Sequence, residues 1–249
     1  TNRPGGRAGA WSRLPATAQE AQGVAERFHR RFPGAAALAL AGTEATEAAI
    51  KAHAPAARYF HAATHGFFDL EGLRDARPTE DTRGVAATAI VKPATEEPWS
   101  DPALTRGADP LLLSGLVLAG ANRRDDRGAG GEEEDGVLTA EEIASLDLSG
   151  VEWAVLSACE TGVGRVQAGE GVLGLRRAFE IAGAGTLIMS LWRVKDEPAR
   201  EWMRELYRGR LQGASTAEAG RRAGLKIIVD RRRAGRDAHP FFWGAFVAA

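Results

Sequence analysis

Apolar residues along the chain follow two rhythms. Short continuous apolar runs at Arg58–Ala63, Val151–Ala158 and Thr186–Trp192 predict strands buried on both faces of a sheet. Weaker strands are expected over Ala35–Ala41, where alanine is a poor strand former, over Val85–Val91 as a strand or hairpin arm, and in the second half of Leu111–Ala119. Between these runs the spacing turns helical. Thr17-Ala18-Gln19-Glu20, Thr139-Ala140-Glu141-Glu142 and Ser215-Thr216-Ala217-Glu218 each set a hydroxyl three residues before a glutamate, the capping box that satisfies free amides at a helix start. They predict a helix to about Phe32, a short helix ahead of Val151 and a last helix to about Arg233. Thr43 caps a helix to His53, and Asp196 caps one through Trp202, Leu206 and Leu211. Val172, Leu175, Phe179 and Ala182 share one helical face, ended by Gly183 and Gly185. The tail His239-Pro240-Phe241-Phe242-Trp243 is expected as a final strand or extended arm. Strands alternating with helices imply an α/β fold whose mostly parallel sheet is covered on both faces.

Composition removes several classes of partner. Hydrophobic residues make up 44% of the 249, enough for a packed core, and Lys+Arg 32 against Asp+Glu 33 leave a formal net charge of -1. No overall field draws the chain to nucleic acid or anionic lipid, and no nucleic-acid partner is expected. No run approaches the ~18 apolar residues of a membrane span, and the first residues lack a signal peptide's apolar stretch, so no membrane association and a cytoplasmic location are expected. One cysteine cannot make an internal disulfide, which agrees with a reducing compartment. The missing initiator methionine makes the chain an expected fragment of a longer protein, forming a single domain over 1–249. Asn122–Gly136 combines three arginines, six acids and four glycines; too polar to bury itself, it is expected as a mobile loop, serving as a processing site or a latch over the groove.

The chemistry concentrates at two strand ends. The single cysteine, Cys159, follows the run Val151–Ala158, and His65 follows Ala57–Ala63, each entering a glycine-bearing loop. Ligands of parallel α/β sheets sit at the carboxyl ends of strands, where both residues fall. A thiol is mostly protonated at neutral pH and needs an adjacent imidazole to become a nucleophile, which makes His65 the base for Cys159. The backbone N–H groups of Gly66 and Cys159 are the candidate oxyanion hole. A zinc pair from His61 and His65 fails, because the glutamate of helical zinc sites is missing and the two rings would stand about 13 Å apart on an extended chain. No metal and no cofactor are expected. One rival from another enzyme class is a dinucleotide site: Gly169-Glu170-Gly171-Val172-Leu173-Gly174 fits the glycine fingerprint, and Asp196 follows at the distance of a ribose-binding acid. The fingerprint should start directly after its strand, however, and some ten residues separate it from Cys159.

Beyond this chemistry, several strings resemble the CHAT domain, a bacterial and fungal branch of the caspase and separase superfamily of cysteine endopeptidases. They include His61-Ala62-Ala63-Thr64-His65-Gly66-Phe67-Phe68, Leu156-Ser157-Ala158-Cys159-Glu160-Thr161-Gly162, Gly169-Glu170-Gly171-Val172-Leu173-Gly174-Leu175-Arg176-Arg177-Ala178-Phe179, Ser190-Leu191-Trp192 and His239-Pro240-Phe241-Phe242-Trp243-Gly244-Ala245-Phe246. The resemblance implies a caspase-like three-layer α/β/α sandwich with His65 as general base and Cys159 as nucleophile. It also implies a protein or peptide substrate lying extended beside the strand that ends in Trp192, near Ser157, Ser190 and Asp196. Relatives that cut after arginine or lysine often carry an acid two positions before the cysteine, where this chain has Ser157. Asp69, Asp196 and Glu197 are the other carboxylates considered for the pocket, and Lys195 departs from the family pattern. Such domains commonly follow tetratricopeptide or other helical repeats, so an upstream repeat region or a regulatory protein is the expected partner. The alternative is a caspase-like interaction module without catalysis.

Overall fold

A computed structural model describes residues 11, 14–68, 111, 114–122, 134–157, 159–160, 170–192 and 194–249. The helices are α1 (Pro15–Arg31), α2 (Glu47–His53), α3 (Ala140–Ala144), α4 (Glu170–Ile181), α5 (Asp196–Leu211) and α6 (Thr216–Arg233). The strands are β1 (Tyr59–Ala62), β2 (His65–Phe68), β3 (Ser114–Val117), β4 (Val137–Thr139), β5 (Trp153–Leu156), β6 (Cys159–Glu160), β7 (Leu187–Ser190) and β8 (Phe246–Ala248). The central sheet has the order β1-β5-β7-β8, parallel except for β8, and a second sheet has the order β4-β3-β2-β6.

The apolar runs make the central sheet, with β5 and β7 buried on both faces and β1 partly buried along its length. Along β5, Ala154 and Leu156 join Leu187, Met189 and the α4 residues Leu175, Ala178, Phe179 and Ala182 in one core. Trp153 and Val155 point the other way and join Ile188, the α5 residues Trp202, Met203, Leu206, Tyr207 and Leu211, and the α6 residues Ala219, Ala223 and Ile227. This two-residue alternation is the period of a strand, and with helices on both sides it produces an α/β sandwich with a mostly parallel central sheet. Each of the larger side chains so buried contributes about 1.5–3 kcal/mol of transfer free energy.

Several expected boundaries move, each for a local reason. The capping box at Thr139 forms in full: its hydroxyl accepts from Glu142 N–H at 3.2 Å while Glu142 accepts from Thr139 N–H at 2.9 Å. At Ser215 only half forms, because Glu218 turns to Arg221 and Arg222 instead. At Thr17 none forms. The helix begins at Pro15, the Thr17 hydroxyl donates to Leu14 C=O, and Glu20 is drawn inward toward His61. Thr46 rather than Thr43 caps α2, and Lys195 rather than Asp196 stands at the N-cap of α5. Ala35–Ala41 runs without regular structure and largely exposed, since alanines offer a ladder little to bury. The tail strand falls at Phe246–Ala248, after a 3₁₀ turn at Pro240–Phe242. Val85–Val91 lies outside the described residues, as do 123–133 of the charged loop. Among the described residues no helix is long and apolar enough to cross a membrane.

The foot of that loop is described. Glu47, 1% exposed, accepts from the N–H groups of Gly136 at 2.5 Å and Val137 at 3.0 Å, and Lys51 bridges Glu47, Glu134 and Glu142 at 3.3 to 3.4 Å. Burial is the main reason the Glu47 carboxyl titrates above its ordinary value, with the neighbouring Glu142 charge adding to it and Gly136 and Lys51 opposing it. Gly136 has φ +83 and a Cβ there would run into the Ala121 backbone, so only glycine fits.

Candidate active site

Two strands cross from the central sheet into the second sheet side by side. β1 passes through Ala63 and Thr64 into β2, and β5 is followed two residues later by β6. β1 pairs with β5 in parallel, and β2 pairs with β6 in parallel. The register survives the crossing: Ala62 is opposite Leu156 and His65 is opposite Cys159, a separation of 94 residues in both cases (156 − 62 and 159 − 65). Ser157 N–H donates to Ala62 C=O at 2.9 Å, carrying the ladder one step into the break. The Thr64 hydroxyl donates to Val117 C=O, tying the turn before His65 to β3.

His65 and Cys159, the residues the sequence selects, are thus backbone partners across adjacent strands. Adjacent strands lie ~4.8 Å apart, and paired positions of a parallel ladder share a face of the pleat. The side chain of His65 is 5% exposed, and the ring of Trp11 lies against it with centroids 5.4 Å apart. Gly66 is buried within β2, flanked by Leu116 of β3 and Glu160 of β6.

Ser157 and Ser190 follow the same logic. Leu156 pairs with Met189, so the next residues, Ser157 and Ser190, stand side by side at the carboxyl ends of β5 and β7, at 7% and 6% exposure. Trp192 is engaged elsewhere: its indole N–H donates to Phe241 C=O at 3.2 Å and its ring packs on the cluster of Val194, Ala199 and Ala245. β7 is not a sheet edge. β5 flanks it on one side and β8 on the other, and Leu191 N–H donates to Ala245 C=O at 2.8 Å. A peptide adding to this strand must therefore begin beyond Leu191. Asp196 is the first residue of α5, Glu197 lies 3.7 Å from Arg236, and Asp69 is outside the described residues. Gly174 of the glycine fingerprint is buried inside α4 rather than in a loop.

Two features escaped the sequence reading. His61 is held by Glu20 of α1, with Nε2 and Oε1 3.0 Å apart but short of hydrogen-bond alignment, and by the Tyr207 hydroxyl, 2.8 Å from Nδ1. Burial, reinforced by the Glu20 charge, pushes the Tyr207 phenol well above its ordinary range. The HxxxH spacing and the string that opens the family resemblance both include His61, and neither gave a sign of Glu20. The other is the packing of Trp11 on His65, which has no local sequence signal at all. A cleft of about 220 Å³ between α1 and α5, lined by Glu20, Gly23, Arg27, Arg200 and Arg204 among others, includes none of the candidate catalytic residues.

Against known proteins, a family model described as the CHAT domain matches residues 4–249. Over 110 residues the sequence is 32% identical to Tetratricopeptide repeat protein 28 of Mus musculus, which covers 44% of this chain and 4% of that protein. The likeness is therefore not confined to bacteria and fungi, and the chain spans a small fraction of this relative's length.

Proposed function

The chain belongs to the CHAT domain family, and on that premise we propose that it is a cysteine endopeptidase built on His65 and Cys159. The observation that carries this reading is the His65–Cys159 register pair, which brings an imidazole-bearing and a thiol-bearing position together from opposite ends of the sequence. His65 takes the thiol proton, and the sulfur attacks the carbonyl carbon of the substrate peptide. The C–N bond then breaks, the amine leaves with the proton returned by the imidazolium, and water hydrolyses the thioester. The N–H groups of Gly66 and Cys159 receive the developing oxyanion.

The hydroxyl pair Ser157 and Ser190 beside the nucleophile favours an uncharged residue at the cut over arginine or lysine, since no carboxylate stands at either position. The match to a tetratricopeptide repeat protein supports a helical-repeat region or a regulatory protein as the source of control. The test is a peptide-library cleavage assay on the parent, Cys159→Ala and His65→Ala. Cleavage by the parent alone, at uncharged positions, is expected; equal turnover by all three would refute the assignment. In that event, activity of the full assembly surviving alkylation of Cys159 would identify an interaction module instead.

A further inference from the structure

We infer that the cleft between α1 and α5 binds a small zwitterion, an amine joined to an oxyanion, at a site separate from the His65–Cys159 pair. Two bonds set these helices side by side and parallel. The Arg200 guanidinium donates to the Gln19 side chain at 2.7 Å and the Arg31 guanidinium donates to Leu211 C=O at 2.8 Å, at sequence offsets of 181 and 180. Beside the first tie and ahead of the second, the helices leave a cleft of about 220 Å³. Gly23, level with Arg204 in this register, opens it. A glycine inside a 17-residue helix costs stability relative to alanine, yet a Cβ built on Gly23 meets nothing within 4 Å. No close approach demands glycine there; what the missing side chain leaves is room.

The lining carries both signs of charge. Glu20 stands at the inner end, 7% exposed, and its Oε1 has no hydrogen-bond partner, because His61 Nε2, 3.0 Å away, is out of alignment. Val24 and the fully buried Met203 give apolar walls, and Glu201 adds a second carboxylate. Arg27, Arg200 and Arg204 bring three guanidinium groups. Arg200 is engaged by Gln19, and Arg204 reaches its chain neighbour Glu205 at 3.6 Å. Arg27 makes no hydrogen bond or ion pair among the described residues. Burial, then repulsion from Arg204 and Arg30, hold the Arg27 guanidinium below its ordinary range. An oxyanion between Arg27 and Arg204 would relieve that repulsion, since guanidinium forks match carboxylate and phosphate oxygens. Glu20 and Arg27 lie two turns apart on one face of α1, ~10 Å along the axis, and do not pair with each other. A lone anion or a lone cation can satisfy only one end, whereas an amine at Glu20 joined to an oxyanion at Arg27 satisfies both.

The experiment is calorimetric titration of the whole chain with two zwitterions, O-phosphoethanolamine and 4-aminobutyrate, and with their halves, inorganic phosphate, acetate and ethylamine. At least one zwitterion should bind about tenfold or more tightly than either of its halves. A preference for O-phosphoethanolamine assigns the oxyanion as phosphate, a preference for 4-aminobutyrate assigns it as carboxylate, and equal affinity supports the shared chemistry. Gly23→Leu, which fills the cleft, should abolish binding while urea unfolding stays at or above the parent's stability. Arg27→Gln should weaken binding about tenfold and keeps the test decisive if Gly23→Leu does not fold. The inference is overturned if neither zwitterion binds up to about 10 mM, if the halves bind as tightly as the whole, or if both variants bind like the parent. Neither substitution touches the register pair, so this site stands or falls separately from the peptidase assignment.

Discussion

His61 and His65 lie four residues apart on successive strands, and the fold gives them opposite surroundings. His61 faces α1 and α5, held between the carboxylate of Glu20 and the hydroxyl of Tyr207, with the aromatic faces of Tyr207 and Trp153 close by. His65 lies in the second sheet, opposite Cys159, with the ring of Trp11 against it and the Trp11 backbone bonded to the exposed Asn122 amide. Both are covered by an aromatic residue and both are largely buried. What separates them is the partner: an acid sits against His61 in the core, whereas His65 is register-paired with a cysteine, the pairing on which the proposed peptidase reading rests. A buried histidine is therefore informative only once the group opposite it is known.

The comparison breaks most visibly in catalysis. His65→Ala and Cys159→Ala should each lower turnover by about 10³-fold or more while leaving the thermal transition nearly in place, as triad-type residues do elsewhere. Turnover by His65→Ala at the parent's level would erase the difference between the two histidines. In stability the order reverses. His61→Leu strands the buried Glu20 carboxylate and should cost ~3–5 kcal/mol in urea unfolding, with kcat/KM preserved in the folded fraction. A loss below about 1 kcal/mol would show that Glu20 finds water instead.

Finer contrasts sharpen the picture. Tyr207→Phe removes the hydroxyl at His61 Nδ1 and should cost ~1 kcal/mol, measured by the same unfolding curves. The same variant has a signature in alkali. Burial and then Glu20 hold the folded phenol well above 10, the value at which it ionises in the unfolded chain. The stability tied to its neutral form is fully present below pH 10 and is lost as pH rises from there through the folded value. Tyr207→Phe should flatten that alkaline decline, and an unchanged slope between parent and variant above pH 10 would place the titration elsewhere.

Much of this was legible in the chain because the apolar runs carry it. β5 and β7 sit inside runs buried on both faces, β1 inside a run that is partly buried throughout, and α4, α5 and α6 show one apolar face each, so burial and pattern largely agree. The candidate pair was legible for the same reason: a reactive side chain one or two steps past a buried strand leaves a trace in one dimension. The rest depends on contacts between distant segments. Glu20 reads as a capping residue until His61, 41 positions away, draws it inward. β2, β3 and β4 form an antiparallel sheet of three- and four-residue strands, too short for periodicity to register. Trp11 precedes the first helix with nothing around it to announce a target. The closure of β7 by β8 is likewise a pairing between segments more than 50 residues apart, invisible from either one.

The twin crossings from one sheet to the other impose a rule of equal spacing. Two residues separate β1 from β2 and two separate β5 from β6, so the two strands stay in phase as they change sheets. One extra residue in either gap would shift the phase by a single step and turn one member of the pair to the opposite side of the pleat. A matching residue added to the other gap would bring the members opposite each other again. Over time, then, these two short connections are constrained as a couple: neither can lengthen alone, though no atom of one needs to touch the other.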